Sequence, residues 1–168
     1  MARLSVAMWP PDHVIAVLSA LDRPTLPGVR WSKPEQWMVK VRALGHADDR
    51  VVAPLIDALG AELEGAPAVE CVLGPATRRL GGQWLGAPVG GLDDLAAVVF
   101  DATVGLVPVT HPQPFQADIV LARGRVPKEL AGLPVSGAWT GRSLSLVADR
   151  SSRQAPRYED LAVIPLGS

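Results

Sequence analysis

Apolar and polar positions follow two rhythms along this chain. Residues 3–9 read as a buried strand, stopped by the Pro10-Pro11 pair, which removes backbone donors and fixes φ. Asp12 then caps a helix on which Val14, Val17, Leu18 and Leu21 recur at helical spacing. Residues 23–28, rich in proline and glycine, form a loop. Residues 37–44 alternate and end at Gly45, which predicts a strand. A second helix starts at Asp48 or Asp49, runs through Val52, Leu55, Ile56, Leu59 and Leu63, and stops at Gly65. Residues 69–73 and 82–85 read as short strands, 92–104 as a third helix capped near Asp93, and 117–123 as a strand. Residues 143–148 and 158–164 pair as a closing hairpin. Helices interleaved with closely spaced strands predict an α+β fold with largely antiparallel sheets.

One stretch echoes another. Trp37-Met38-Val39-Lys40-Val41-Arg42-Ala43-Leu44-Gly45 is matched, at an offset of 80 residues, by Ala117-Asp118-Ile119-Val120-Leu121-Ala122-Arg123-Gly124. The offset is close to half the chain, and both strands lie in helix-strand contexts. The expectation is one domain over residues 1–168, made of two pseudo-symmetric lobes.

Composition narrows the function classes. With 168 residues, 48% hydrophobic and 20% charged, the chain has enough apolar surface to bury a core without staples. Sixteen Lys+Arg against seventeen Asp+Glu leave a net charge of −1, which argues against strong non-specific nucleic-acid binding and leaves room only for a local basic site. Cys71 is the sole cysteine, so an internal disulfide and a cysteine-built zinc site are excluded. His13, His46 and His111 lie far apart and share no metal-ligand spacing. No metal and no cofactor are expected. No apolar run reaches the roughly 18 residues of a membrane span, and the apolar N-terminus is short for a signal peptide. A soluble cytoplasmic protein without membrane contact is the expectation.

At the two echoing strands the sequence resembles the 2H phosphoesterase superfamily, in its bacterial branch of 2′-5′ RNA ligases or RNA 2′,3′-cyclic phosphodiesterases. The resemblance is carried by Arg3-Leu4-Ser5-Val6-Ala7-Met8-Trp9-Pro10-Pro11, Trp31, Pro34-Glu35-Gln36-Trp37, Leu44-Gly45 and Trp84-Leu85-Gly86 in the first half. It continues through Pro114-Phe115, Leu121-Ala122-Arg123, Tyr158-Glu159 and Ile164-Pro165-Leu166. It implies two antiparallel sheets facing across a central cleft, with helices packed outside. It also implies two His-x-Thr motifs, one per lobe, in which one imidazole accepts a proton and the other donates while the hydroxyls hold phosphate oxygens.

Both motifs are degenerate here. The family positions hold Met38 and Lys40 on the first strand and Asp118 and Val120 on the second, and no histidine stands at any of them. Simple alternation places Met38, Lys40 and Arg42, with Asp118, Val120 and Ala122, on the faces that should carry chemistry. Val39, Val41, Ala43, Ile119 and Leu121 fall on the opposite, helix-packed faces. Met38 and Val120 read as cleft-wall filling. Lys40 and Asp118 read either as solvated or mutually bridged charges, or as parts of a rebuilt site where Lys40 and Arg42 meet an anion. Trp9, Trp37 and Trp84 suit core, cleft wall or base stacking. His46, after the Leu44-Gly45 turn, and His111, beside Pro112, read as loop residues; His13 reads as an exposed residue of a first helical turn.

General acid-base groups contribute about 10²–10⁴-fold each, so their loss speaks against the parent activity. Lys and Asp would need pKa values moved several units to replace them. The leading expectation is a catalytically degenerate protein, a pseudoenzyme, binding a nucleotide, an RNA end or a small phosphorylated ligand through Lys40, Arg42, Asp118 and Trp9. The alternatives are a cyclic phosphodiesterase or RNA ligase using non-histidine residues, and an interaction module that keeps only the fold. A Lys40–Asp118 bridge across the cleft would favour the last.

Overall fold

The structure, a computed structural model, describes residues 2–110 and 112–167. The elements are β1 (Ala2–Met8), α1 (Asp12–Ser19), β2 (Val29–Trp31), β3 (Val39–Ala47), α2 (Val52–Glu62), β4 (Val69–Leu73) and β5 (Arg78–Leu80), then β6 (Trp84–Gly90), α3 (Asp93–Thr103), β7 (Asp118–Gly124), β8 (Gly137–Gly141), β9 (Ser143–Asp149) and β10 (Tyr158–Pro165). Two sheets result, both antiparallel. One has the order β10-β9-β1-β3; the other runs β2-β7-β6-β4-β8, with β5 paired to β6. The predicted α+β architecture is the one observed, and the closing hairpin of β9 and β10 forms as expected.

The differences are local. The predicted strand 82–85 runs instead from Trp84 to Gly90, because Gly81 and Gly82 take positive φ and make the turn that enters it. Strands β2, β5 and β8 add to those the sequence predicts. Two are three residues long, and β8 begins and ends on glycine, so none displays a readable alternation. Asp12 and Asp93 sit inside the first turns of their helices, behind Pro11 and Leu92, and neither cap position makes a side-chain cap bond. Asp48 does cap, accepting from the Arg50 backbone N–H at 2.9 Å at the start of a 3₁₀ turn that leads into α2.

Two apolar clusters assign the faces of the first sheet. Leu4, Val6, Met8, Val39 and Val41 join Leu55, Leu59, Leu95 and Val99 of the helices in the main core, which also takes Ile119, Leu121 and Ala122 from β7. Ala7, Met38 and Val147 form a second cluster on the opposite face, with Trp9 and Tyr158 packed against it. Helices α2 and α3 pack on one another, and α3 packs on β3. The helices therefore cover one side, and the opposite sides of β3 and β7 face each other across a cleft. Cys71 lies in the main core, where burial, aided by Glu70, pushes its thiol up to about 11 and leaves it without thiolate character at neutral pH. Among the described residues no helix is long and apolar enough to cross a membrane.

Candidate functional site in the cleft between the sheets

The cleft face of the first sheet follows from its register. Paired residues of adjacent strands share a face, and Ala7, a cleft residue, pairs with Lys40. One step along β1 the next pair is Val6 with Arg42, so Val41 is an extra residue in β3. This β-bulge reverses the alternation until Leu44, a second extra residue, restores it. Arg42 consequently shares the face of Val6, on the helix side. There its guanidinium donates to Thr103 Oγ1 at 2.6 Å and to the Val107 carbonyl at 2.5 Å, and lies 5.3 Å over the Phe100 ring. The expected pairing of Lys40 and Arg42 on one face is thus corrected by one inserted residue.

Strand β7 repeats the device. Val120 pairs with Gly86 and Ala122 with Leu85, which makes Leu121 the extra residue. Val41 and Leu121 are related by the same 80-residue offset as the sequence echo. Here the reversal buries Ala122 on the helix side and turns Arg123 toward the cleft. Arg123 pairs with Arg30 of β2 and lies 5.0 Å over the Trp84 ring. Its Nε is buried without a hydrogen-bond partner. Unbroken alternation puts Ala122 in the cleft and Arg123 behind it; the bulge exchanges them.

Charge gathers around Lys40. Its ammonium keeps accessible surface but stands in a concavity. Burial by the cleft walls, then the nearby Arg123, and more weakly Arg3, hold its pKa below the ordinary lysine value, while Asp149 opposes. Among the described residues no hydrogen bond or ion pair engages that ammonium. Arg3 pairs with Asp149 on one side and His46 on the other, so all three share the cleft face with Lys40.

Asp118 is not its partner. Arg78 of β5 grips the Asp118 carboxylate with two bonds, Nε–Oδ1 at 2.9 Å and Nη2–Oδ2 at 2.8 Å. The Asp118 side chain is 6% exposed. Gly86 makes this possible: a Cβ there would lie 2.7 Å from Leu80 Cδ1 and 3.2 Å from Asp118 Cβ. The expected Lys40–Asp118 bridge does not form, because β5 delivers a closer cation to Asp118 from within its own sheet.

Similarity of structure without similarity of sequence marks the relatives. No protein-family model and no curated protein matches the chain. Among solved structures, TT0787 of Thermus thermophilus superposes with a TM-score of 0.85 at 20% identity, over 98% of this chain and 97% of that one. E. coli LigT complexed with 3′-AMP gives 0.84 at 20% identity, over 99% of each chain. A further structure described as a phosphoesterase gives 0.81 at 20%, over the full length of both. The chain has the 2H phosphoesterase fold. LigT has also been solved complexed with NADP+, ATP and phosphate.

Met38, expected at the first motif position, is 5% exposed and packs with Ala7 and Val147. Val120 is half-buried opposite Gly86. Trp9 stands at the edge of the cleft face; its Nε1 donates to Asp160 Oδ1 at 2.9 Å and its ring meets Tyr158 edge-on. Trp37 is fully buried, and Trp31 donates to the Pro24 carbonyl at 2.8 Å. His46 belongs to β3 rather than to a loop, since the strand continues past Gly45 to Ala47. His13 Nε2 lies 2.7 Å from the Ala138 carbonyl; His111 falls outside the described residues. Among those residues no group of three His, Cys, Asp or Glu is placed to hold a metal.

The cleft can therefore hold an anion, and among the described residues it presents the His46 imidazole without a second one opposite. A lysine held among arginines loses stability on folding. Its proton is bound more weakly in the folded than in the unfolded chain, so stability rises with pH between its lowered folded value and 10.5. Lys40→Gln removes that repulsion and is expected to leave the thermal midpoint unchanged or raise it by about 1–3 °C, with the difference fading above that window. A scanning-calorimetry series across alkaline pH checks the sign; a clear drop at neutral pH would contradict it.

Proposed function

We propose that this chain is a catalytically degenerate 2H phosphoesterase that binds a nucleotide, an RNA end or another phosphorylated ligand in the cleft. The observation that supports it is the unengaged Lys40 ammonium beside Arg123, whose own Nε lacks a partner. A functional cation cluster that costs stability is the kind of feature a ligand completes. That LigT has been solved with 3′-AMP, ATP, NADP+ and phosphate gives a precedent for such ligands in this fold. The matching bulges at Val41 and Leu121 support reading residues 1–168 as one domain of two pseudo-symmetric lobes.

Among the described residues, acid-base chemistry lacks a pair of facing imidazoles. Met38 has no titratable group, and the Asp118 carboxylate is held by two bonds from Arg78. The expected result is no hydrolysis of 2′,3′-cyclic nucleotides above a no-protein control. Turnover abolished by Lys40→Ala would overturn the degenerate reading. Binding is read by thermal shift: a ligand at about 100 times its Kd stabilises by about 2.7 kcal/mol, a rise of roughly 5–10 °C for a chain of this size. No shift with any nucleoside phosphate or inorganic phosphate would remove the binding reading and leave the fold-only one. The substitutions Met38→His, Lys40→Thr, Asp118→His and Val120→Thr made together test whether the scaffold still supports the parent chemistry.

A further inference from the structure

Resting on the binding reading above, we infer that the cleft is built for the dianion of a phosphomonoester and discriminates against phosphodiesters, cyclic ones included. The charge balance of the cleft carries the inference. Lys40, Arg3 and Arg123 face it, with Arg30 paired beside Arg123, and the carboxylate acting on Lys40 is that of Asp149. The other acidic groups near the cleft face are occupied. Asp118 is neutralised by Arg78, and Asp160 accepts from the Trp9 indole. Asp160 keeps its charge, since the indole is neutral, so Lys40, Arg3, Arg123 and Arg30 against Asp149 and Asp160 leave an excess of two positive charges.

A phosphomonoester above its second pKa of about 6 carries nearly two negative charges on three terminal oxygens. A cyclic or bridging diester carries one charge on two such oxygens. Donor geometry points the same way. The planar Arg123 fork, fixed over Trp84, suits two phosphate oxygens, and the exposed Lys40 ammonium suits a third. A diester leaves one of these cations without an acceptor, and a desolvated cation without one is costly. With no imidazole pair among the described residues to cleave a ring or activate a hydroxyl, the site reads a phosphorylated terminus. Such a terminus has two sources, a free nucleoside monophosphate or the end of an RNA strand.

Titration calorimetry at a pH of about 7.5, above the second phosphate pKa, and at fixed ionic strength tests the inference on the full chain, using 3′-AMP, 2′,3′-cyclic AMP and the diester ApA. The expected result is 3′-AMP bound at least about tenfold more tightly than either diester. Lys40→Gln should reduce that ratio toward one, and Lys40→Arg should keep most of it. Equal or tighter binding of the cyclic compound overturns the inference while leaving ligand binding in place. An unchanged ratio in Lys40→Gln, with the variant's melting intact, overturns it also. Failure of all three compounds to bind at millimolar concentration removes both readings. A short RNA with a 3′-phosphate, compared with the same RNA ending in a 3′-hydroxyl, separates the sources. Tighter binding of the phosphorylated strand than of 3′-AMP assigns an RNA end; equal binding of the two assigns the nucleotide.

Discussion

Arg123→Ala is expected to weaken 3′-AMP binding about 100-fold, while leaving the melting temperature of the free protein unchanged or slightly higher. Truncating one side of a desolvated charge pair costs about 2–5 kcal/mol, much of it from stranding the other charge, and about 2.7 kcal/mol corresponds to 100-fold. The stability half runs the other way. In the free protein the buried Arg123 Nε has no partner, and the guanidinium lowers the pKa of Lys40 through repulsion. Its removal forfeits the Trp84 contact, about 0.5–1 kcal/mol at a partly exposed site, and relieves an unpaired polar atom worth about 1–3 kcal/mol. Arg123→Lys should recover little affinity, since a lysine provides a point charge and no planar fork. Calorimetry of all three proteins with 3′-AMP, beside their melting curves, checks both halves. A variant that binds normally, or that loses binding only because it melts early, would show that Arg123 does not hold the ligand.

Arg78→Met is expected to destabilise the fold by about 2–3 kcal/mol, a fall of roughly 5–10 °C in melting temperature. The reason is the Asp118 carboxylate. Its side chain is 6% exposed, and the two Arg78 bonds at 2.9 and 2.8 Å are its side-chain hydrogen bonds. Breaking a buried pair costs about 3–5 kcal/mol; the Arg78 side chain is 43% exposed, so solvent screens part of it and the lower figure applies. The double variant Arg78→Met with Asp118→Leu should recover most of the loss, because two apolar groups replace two desolvated charges. A coupling energy near zero between the two substitutions would place Asp118 in a solvated setting and remove the account of why Lys40 is left unengaged.

The sheet faces are half legible in the sequence. In β3 the buried apolar residues are Val39, Val41, Leu44 and Ala47, so their spacing changes from two to three after Val41. That break of phase is the visible trace of a bulge, and reading the strand as one unbroken alternation sends Arg42 to the cleft. In β7 the trace is fainter: Leu121 and Ala122 are both apolar, and adjacent apolar residues also occur in strands buried on two faces. Arg123 is therefore missed as a site residue, although it lies within the Leu121-Ala122-Arg123 stretch that carries the resemblance. Arg78 has no sequence signal. Its strand is three residues long, and its partner is 40 positions away.

Spacing and residue type along the chain are enough for the class of fold, the two echoing strands, the helix-facing apolar positions before each bulge, and the lack of histidine at positions 38, 40, 118 and 120. These are local facts, and they survive any packing. Which cations share the cleft is a matter of strand pairing in three dimensions. An unpaired residue in a strand is defined by its neighbour's register, and one such residue turns the residues after it to the other face until a second one intervenes, as Leu44 does in β3. Val41 thereby turns Arg42 onto α3, and Leu121 turns Arg123 into the cleft. Gly86 opens space in which Arg78 reaches Asp118, and that pair leaves Lys40 among arginines instead of across from a carboxylate.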